Sequence, residues 1–297
     1  MEDIFFVDRA TGEVKREEVY GEKFVKWAYQ DGGTSLSRRL LFHNPLLSNL
    51  LGWYFGSGLS RRRIAPAIEQ LAIDVEEFRD EASSFGSFNA FFTRHLKPEA
   101  RPFDDDPETI ASPADGRLLV YPNLRGDEAV PVKGRPFSVR QMLQRETPDF
   151  TGGVLYVVRL CPADYHRFHF PCGGQVIAQQ AVAGALHSVN PIALQLDLDV
   201  FGENKREYCL LKTTDFGTVA FIEVGAFGVG SIVQTYADKN VAKMDEKGFF
   251  KFGGSTVILV FQQGMIEPDA DLVANSAKGI ETLVKCGETI ARKANHG

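Results

Sequence analysis

From about Ile110 onward, short runs of β-branched and aromatic residues are separated by glycine and proline. The clearest runs are RLLVY, VLYVVRL, GQVIAQQAV, REYCLLKTT, GTVAFIEVGAF and STVILVFQ. The runs have the length of strands, and their spacing is that of hairpins. The pattern therefore predicts a mostly antiparallel β domain.

The first third of the chain carries a helical pattern instead. Apolar residues recur at helical spacing in the runs 22–29, 37–42, 46–54, 61–71 and 75–79. Ser60, Asp74 and Ser87 stand where helix N-caps are expected. A Pro- and Asp-rich segment at 98–109 follows and indicates a boundary. We therefore predict an α+β protein with a helical N-terminal region over residues 1–97 and a β-rich domain over residues 98–297.

Three short segments of the β region place a glycine-containing turn before an apolar strand. They are PADGRLL (113–119), PCGGQVI (171–177) and KCGETIA (285–291). This repetition resembles the half-barrels of lipoyl- and biotinyl-carrier domains. We therefore expect lipoyl-like half-barrel elements in the β domain.

Composition and charge argue against several classes of protein. The chain has 297 residues and a net charge of −6, which argues against a general nucleic-acid binder. Its four cysteines form no C-x-x-C pair, which favours a reducing compartment over a disulfide scaffold. The acidic N-terminus does not have the pattern of a signal peptide. Polar residues interrupt the most apolar stretch, 40–59, so no transmembrane helix is predicted.

Between Gly32 and Ile68 the chain contains no acidic residue. The same window holds five arginines and an aromatic triplet that begins at Trp53. Arginines attract anionic headgroups while tryptophan and leucine enter the acyl boundary, so the pattern is typical of an interfacial membrane anchor. A core helix pair with an ordinary polar edge is the alternative. The residues predicted to dock on a membrane are Arg38, Arg39, Trp53, Arg61, Arg62 and Arg63.

Three segments hold the side chains best suited to catalysis. Asp115 lies in SPADG, His166 and His169 lie in YHRFHFP, and Ser255 lies in FGGST. An acid, an imidazole and a hydroxyl suffice for nucleophilic catalysis, in which histidine takes the serine proton and aspartate orients the histidine. Each residue also has an ordinary alternative, namely a turn aspartate, a core histidine and a loop serine.

A zinc site is the other chemistry that the histidine segment suggests. Cys161, His166, His169 and Cys172 lie within twelve residues and are of the types that zinc binds. Two ligand pairs on separate turns are absent, however, and residues three apart on a regular strand face opposite sides. We therefore predict no metal.

Five motifs occur together in an order that is specific to one family. They are NAFFTR (89–94), SPADGR (112–117), DYHRFHFP (164–171), VGAFGVGSI (224–232) and FKFGGSTVILVF (250–261). Over roughly residues 85–265 the chain resembles phosphatidylserine decarboxylase, and its N-terminal part resembles the longer prokaryotic branch of that family. It departs from the family at Gly253, where the familiar cleavage motif has leucine, and in the segment Ala226–Gly228.

The resemblance implies a pyruvoyl enzyme that makes its prosthetic group from its own backbone. Self-cleavage between Gly254 and Ser255 would give a β chain, 1–254, and an α chain, 255–297. Asp115, His169 and Ser255 would form the self-cleavage triad as orienter, base and nucleophile. The pyruvoyl group derived from Ser255 would form a Schiff base with the substrate amine, and His166 would be the general acid. Phosphatidylserine would thereby yield phosphatidylethanolamine and CO2 with no metal.

The resemblance also implies the partners and the location. These are phosphatidylserine in an anionic membrane, the β and α chains of the protein itself, and a homodimer, with no nucleic acid. The enzyme would lie on the cell membrane as a peripheral protein of the cytoplasmic face. Two other functions remain open at this point: a serine hydrolase acting on an external ester, and a non-catalytic lipoyl-like module with Lys239 as its nearest modifiable lysine.

Overall fold

Strands dominate the computed structural model, which describes residues 4–17, 45–124, 130–132, 135–137, 139–144, 148–185, 203–228 and 231–294. Within these residues the chain is a mixed α+β protein whose strands pair mostly antiparallel. The fold class predicted from the sequence is confirmed at this level.

The strands in chain order are β1 (Phe5–Asp8), β2 (Val14–Arg16), β3 (Thr109–Ala111), β4 (Gly116–Pro122), β5 (Val130–Val132), β6 (Arg135–Phe137), β7 (Val154–Leu160), β8 (Arg167–His169), β9 (Gly174–Val182), β10 (Arg206–Lys212), β11 (Thr218–Gly228), β12 (Ile232–Gln234), β13 (Asn240–Val241), β14 (Glu246–Phe250), β15 (Gly253–Phe261), β16 (Ile266–Pro268), β17 (Glu281–Val284) and β18 (Thr289–Lys293). The α-helices are α1 (Pro45–Gly56), α2 (Ile64–Gln70), α3 (Phe88–Phe92), α4 (Val139–Leu143) and α5 (Ala270–Ala277). Short 3₁₀ helices cover Gly58–Arg63, Val75–Glu77, Ala82–Ser84 and Pro98–Ala100.

Ten of the described strands form one sheet in the order β13-β9-β10-β11-β15-β7-β4-β17-β1-β2. Neighbours are antiparallel except for β1 and β17, which are parallel. The smaller sheets have the orders β12-β14-β8, β16-β18-β3 and β5-β6. The pairing of the described strands closes no barrel, so the lipoyl-like half-barrel elements stay a prediction.

Strand β15 is buried on both faces because its apolar residues run without interruption. Val257 and Leu259 belong to the larger hydrophobic cluster, whereas Ile258 and Val260 belong to a second cluster. Side chains alternate between the two faces of a strand, so a continuous apolar run suits a strand that is covered on both sides. This burial fixes Ser255 near the centre of the sheet, between β11 and β7.

The helical prediction for the first third is confirmed in part. Helix α1 covers the run 46–54, and the run 61–71 forms a 3₁₀ helix followed by α2. Asp74 and Ser87 accept hydrogen bonds from backbone N–H groups as N-caps do. Ser60 is not a cap, because it lies inside the 3₁₀ helix and its buried hydroxyl accepts the N–H of Phe88 (2.9 Å). The runs 22–29 and 37–42 lie outside the described residues.

The N-terminal region also contributes strands that the sequence did not predict. Strands β1 and β2 form a hairpin at the edge of the ten-stranded sheet, and β1 joins β17 in the parallel pair. A third hydrophobic cluster, built from helices and turns between Ile64 and Phe92, includes Phe88 and has Phe55 and Phe252 packed against it. The helical region therefore directly contacts the residues that precede the predicted cleavage site.

Candidate active site

The backbone around the predicted cleavage site is irregular. Ser255 pairs with Gly225 of β11, but Gly253 pairs with Gly228, so residues 226 and 227 lie opposite the single residue Gly254. Gly253 has a φ of 153°, in a region that residues with side chains rarely adopt. A leucine at this position would strain the backbone, so the departure from the familiar cleavage motif suits the conformation seen here.

Ser255 has an unused hydroxyl in a fully buried position. Its relative exposure is 0%, and Oγ finds no hydrogen-bond partner among the described residues. A buried hydroxyl without a partner costs free energy, and such groups are rare in folded proteins. The serine is therefore held with its nucleophilic oxygen free of competing hydrogen bonds.

His166 is held in a single tautomer by the carbonyl of Asp164. The distance from Nδ1 to that oxygen is 2.9 Å, and a carbonyl oxygen can only accept, so Nδ1 carries the proton. Nε2 is then a lone pair with no partner among the described residues. Burial lowers the pKa of His166 to about 3, which keeps the imidazole neutral. Its ring packs on Phe92 with 3.8 Å between centroids.

The carboxylate of Asp115 is fixed by a fork of hydrogen bonds. Arg101 donates from Nε (2.8 Å) and Nη2 (2.6 Å), and the backbone N–H of Cys286 donates at 2.8 Å. Burial alone would raise the pKa of Asp115, but the adjacent Arg101 outweighs it and holds the pKa below the usual value. Asp115 is therefore a permanent negative charge in the interior.

His169 contacts Cys286 rather than Asp115 or Ser255. Its Nδ1 lies 3.3 Å from the Cys286 Sγ, and burial lowers the pKa of His169 to about 4. Cys286 thus connects the two predicted triad members, with its backbone on Asp115 and its thiol on His169. In the uncut chain, among these described residues, the predicted triad is not joined by direct hydrogen bonds.

The structure gathers the predicted residues into one region. The charge of Asp115 is close enough to act on both imidazoles, where it partly opposes the effect of burial on their pKa. The ring of Phe92 lies between His166 and the segment before the predicted cleavage site. Its centroid is 5.1 Å from that of Phe252, which is three residues before Ser255. The catalytic roles of these residues stay predictions.

Sequence reasoning missed the residues that hold the catalytic candidates in place. Arg101 fixes Asp115, and Cys286 connects Asp115 to His169. The carboxylate of Asp164 binds Arg117 (2.5 Å) and the N–H of Cys161 (2.6 Å), which fixes the carbonyl that orients His166. Arg101 lies near the predicted boundary and Asp164 precedes the histidine motif, so position in the motif was the only available signal.

The cysteines of the considered zinc site lie in separate environments. Cys161 contacts Arg159 and Glu17, whereas Cys172 lines a surface pocket with Lys243. Across the part of the chain that the structure describes, no three His, Cys, Asp or Glu side chains are grouped as metal ligands.

Several residues of the predicted docking region are exposed. We define the docking surface as Leu50, Trp53, Leu59, Arg61, Arg62 and Arg63, whose apolar members are 60–64% exposed. Arg38 and Arg39 lie outside the described residues. Among the residues that the structure covers, no helix is both long and apolar enough to cross a bilayer.

Comparison with known proteins identifies the family. The family model described as phosphatidylserine decarboxylase matches residues 88–292, so the chain belongs to this family of enzymes. It is 41% identical over 286 residues to the phosphatidylserine decarboxylase proenzyme of Ruminiclostridium cellulolyticum, covering 95% of each chain. Proteins with the same name from Chlamydia felis (41% identity, 98% and 99% coverage) and Fusobacterium nucleatum (38%, 99% of each) are also similar over nearly their whole length.

Proposed function

We propose that this chain is a precursor that cuts itself between Gly254 and Ser255 and then decarboxylates phosphatidylserine. The observation that carries the proposal is the buried, unpartnered Ser255 hydroxyl beside the irregular Gly253–Gly254 segment. Membership of a family whose relatives are named proenzymes supports processing. It also favours this reaction over an external serine hydrolase or a carrier module.

In the first step of maturation, Ser255 Oγ attacks the carbonyl carbon of Gly254. The peptide C–N bond breaks, an ester replaces it and the nitrogen of residue 255 becomes a free amine. His169 is the proposed base that takes the Oγ proton, and Asp115 stabilises the resulting imidazolium through its charge. The Ser255 hydroxyl has no hydrogen-bond partner among the described residues, so no such bond must be broken before it attacks.

The ester is then eliminated. A base removes the α-proton of residue 255, the Cβ–O bond breaks, and Gly254 leaves with its new carboxylate. Residue 255 is then a dehydroalanine, which rearranges to an imine and reacts with water to release ammonia. The products are the β chain, 1–254, and an α chain, 255–297, that begins with a pyruvoyl group.

The pyruvoyl group derived from Ser255 would supply an electron sink for the electrons released with CO2, through a Schiff base with the substrate amine. The chain itself must return a proton to the substrate α-carbon. His166 is the proposed group that moves this proton: the Nε2 lone pair takes a proton from the substrate ammonium and later returns it to the α-carbon, while Nδ1 stays committed to the Asp164 carbonyl. Phosphatidylethanolamine is the resulting product.

The docking surface is the proposed contact with the bilayer. Its exposed leucines and tryptophan suit the acyl boundary, and its arginines suit the anionic headgroups of a leaflet that contains the substrate. The proposed location that follows is the cytoplasmic face of the cell membrane, with the enzyme as a peripheral protein. The homodimer implied by the sequence resemblance stays a prediction.

The intact mass of the denatured protein tests the proposal. We expect two chains that divide after Gly254, with the smaller chain about 17 Da lighter than hydrolysis alone would give, because a pyruvoyl group replaces the terminal serine. The Ser255→Ala variant is the control and should remain one chain of 32.9 kDa. A single wild-type chain, or phosphatidylserine that is not decarboxylated by the processed protein, would contradict the proposal.

A further inference from the structure

Arg94 is a buried cation with unused hydrogen-bond donors. It lies just beyond α3, is 4% exposed and packs over the rings of Phe78 and Phe91 at 4.9 and 5.1 Å. Nη2 donates to the carbonyls of Ala163 (3.2 Å) and Asp164 (3.4 Å). Nε and Nη1 have no partner among the described residues. A buried charge that lacks partners is costly, so the arrangement calls for an acceptor that the described residues do not supply.

The carboxylates whose charges act on Arg94 are those of Asp115, Asp164 and Glu77, and all three are already bound elsewhere. Glu77 is committed to Arg101. Asp164 is committed to Arg117 and to a backbone N–H, and Asp115 is committed to Arg101 and to the N–H of Cys286. Burial lowers the pKa of Arg94 to about 10, so the guanidinium keeps its charge at neutral pH. The unused donors therefore favour an external anion.

The position of Arg94 relates it directly to the proposed reaction. Its Nη2 and the Nδ1 of His166 share one acceptor, the carbonyl oxygen of Asp164. The guanidinium therefore lies beside the imidazole that is proposed to deliver a proton to the substrate α-carbon. An anion within a few bonds of that carbon would reach Arg94.

We propose that Arg94 binds the phosphodiester of the phosphatidylserine headgroup, an inference that rests on the proposed function. The headgroup has two anions, and they differ in what the reaction does to them. The carboxylate loses its charge as CO2 leaves, so a cation bound to it would stabilise the ground state and slow the reaction. The phosphodiester keeps its charge throughout, and the planar guanidinium fork matches its oxygens.

The route to Arg94 is expected to open only after processing. In the uncut chain Phe252 packs on Phe88 and Phe92 of α3, the helix that leads to Arg94. Cleavage makes Gly254 a free chain end two residues after Phe252. The headgroup can then enter beside this helix.

The test compares Arg94→Gln and Arg94→Lys with wild type, and Arg79→Gln is the control because Arg79 is exposed and bonds to Asp80. Self-cleavage is read by intact mass and needs no substrate. KM and kcat are measured with short-chain phosphatidylserine and with an analogue in which a neutral ester replaces the phosphodiester. Binding of glycerophosphocholine, a phosphodiester without a reactive amine, is measured by calorimetry on the processed proteins.

We expect Arg94→Gln to be processed, to raise KM for phosphatidylserine about 10- to 100-fold and to lose glycerophosphocholine binding, with kcat nearly unchanged. Arg94→Lys should be intermediate, and the neutral analogue should not distinguish the variants. An unchanged KM would overturn the proposal. A fall in kcat that is equal for both substrates would assign Arg94 to the carboxylate, and failure of both variants to self-cleave would assign it to maturation. Wild-type protein that binds glycerophosphocholine through Arg94 but does not decarboxylate phosphatidylserine would instead count against the proposed function.

Discussion

At the scale of single residues, the site is built from neutral imidazoles beside one permanent carboxylate. Burial lowers the pKa of both His166 and His169, so each ring has one lone pair and one N–H at neutral pH. Asp115 remains charged because Arg101 and the Cys286 N–H bind it. The uncut chain therefore holds two bases and a nearby anion that can stabilise either base once it is protonated.

Substitution of the two histidines should affect different steps of the proposed reaction. We expect His166→Ala to be processed normally but to lose about 10²- to 10⁴-fold in kcat, because the proton donor for the α-carbon is removed. His169→Ala should remain one chain, because the base for Ser255 is removed. Intact mass and CO2 release measure the two outcomes.

His95 provides the matched control for these variants, since it is partly exposed and lies 3.9 Å from Glu246 rather than in the site. His95→Ala should be processed and active. If His166→Ala blocked cleavage while His169→Ala cut normally and failed to release CO2, the two roles would be reversed.

Sequence motifs were enough to name the candidate catalytic residues, but they did not reveal the residues that position those candidates. Asp115, His166, His169 and Ser255 stand in recognisable motifs. Cys286 lies 171 residues after Asp115, and its hydrogen bonds depend on the loop between β17 and β18 returning to the start of β4. No local pattern carries that information.

At the scale of elements, helix α1 has two different faces. One face exposes Leu50 and Trp53, while Phe55 packs on Phe252 with 4.2 Å between ring centroids. The same helix therefore contacts the segment before the proposed cleavage site and also carries part of the docking surface. Arg63 of the docking surface is tied to α1, because its Nε donates a hydrogen bond to the hydroxyl of Tyr54 at 3.0 Å.

Changes on the docking surface should weaken membrane binding without affecting processing. We expect Trp53→Glu to reduce binding to phosphatidylserine-containing liposomes roughly tenfold or more, because it replaces an exposed aromatic ring with a charge that anionic lipid repels. Changing Arg61, Arg62 and Arg63 to Glu should have a similar effect that diminishes at high salt. Liposome sedimentation measures both.

Val14→Glu is the control for Trp53→Glu, because Val14 is also an exposed apolar residue (60%) but lies on β2, outside the docking surface. Its binding should match wild type. Equal sedimentation of the wild type and all docking-surface variants would rule out this surface as the membrane contact.

Element prediction succeeded where the local pattern determines the structure. The run STVILVFQ is β-branched and apolar throughout, and it forms the doubly covered strand β15. The β1–β2 hairpin was missed because each strand has only three or four residues. The partner of β1 is β17, about 270 residues further along the chain, so the pairing leaves no local periodicity to detect.

At the scale of the whole molecule, buried ion pairs connect the residue that follows the N-terminal hairpin to two other strands of the ten-stranded sheet. Arg159 of β7 donates to Glu17 (3.0 and 2.5 Å) and to Glu281 of β17 (3.1 and 2.7 Å). Burial alone would raise the pKa of Glu17, but the charges of Arg159 and Arg117 outweigh it and hold the pKa at about 2. The pairing therefore requires Glu17 to be ionised.

This pairing predicts a specific loss of stability in acid. The folded pKa of Glu17 lies below its unfolded value, so the contribution is complete above about pH 4.5 and is lost as the pH falls towards 2. The shift corresponds to about 3 kcal/mol. Urea unfolding of the Ser255→Ala chain between pH 7 and 3 should show a smaller pH dependence in Glu17→Gln, whereas the exposed Glu13→Gln should match its parent. Identical pH profiles for all three would contradict the role of Glu17.

The strand order has a further consequence for the lifetime of the enzyme. Chain 255–297 would contain β17 and residues 255–261 of β15. Strand β15 lies between β11 and β7, and β17 lies between β4 and β1. Without them, the ten-stranded sheet of chain 1–254 would be left as three separate groups of strands. The information needed to assemble the sheet is therefore carried by a continuous chain that the proposed cleavage would interrupt.

We expect uncut Ser255→Ala protein to recover its fold after dilution from urea, and the processed protein to recover little, as circular dichroism would show. Equal recovery would mean that the fragments reassemble unaided. In the expected case, the mature enzyme would be kinetically rather than thermodynamically stable, and its lifetime would depend on its rate of unfolding. Each molecule would then have one opportunity to fold, and a cell could replace a lost molecule only by new synthesis.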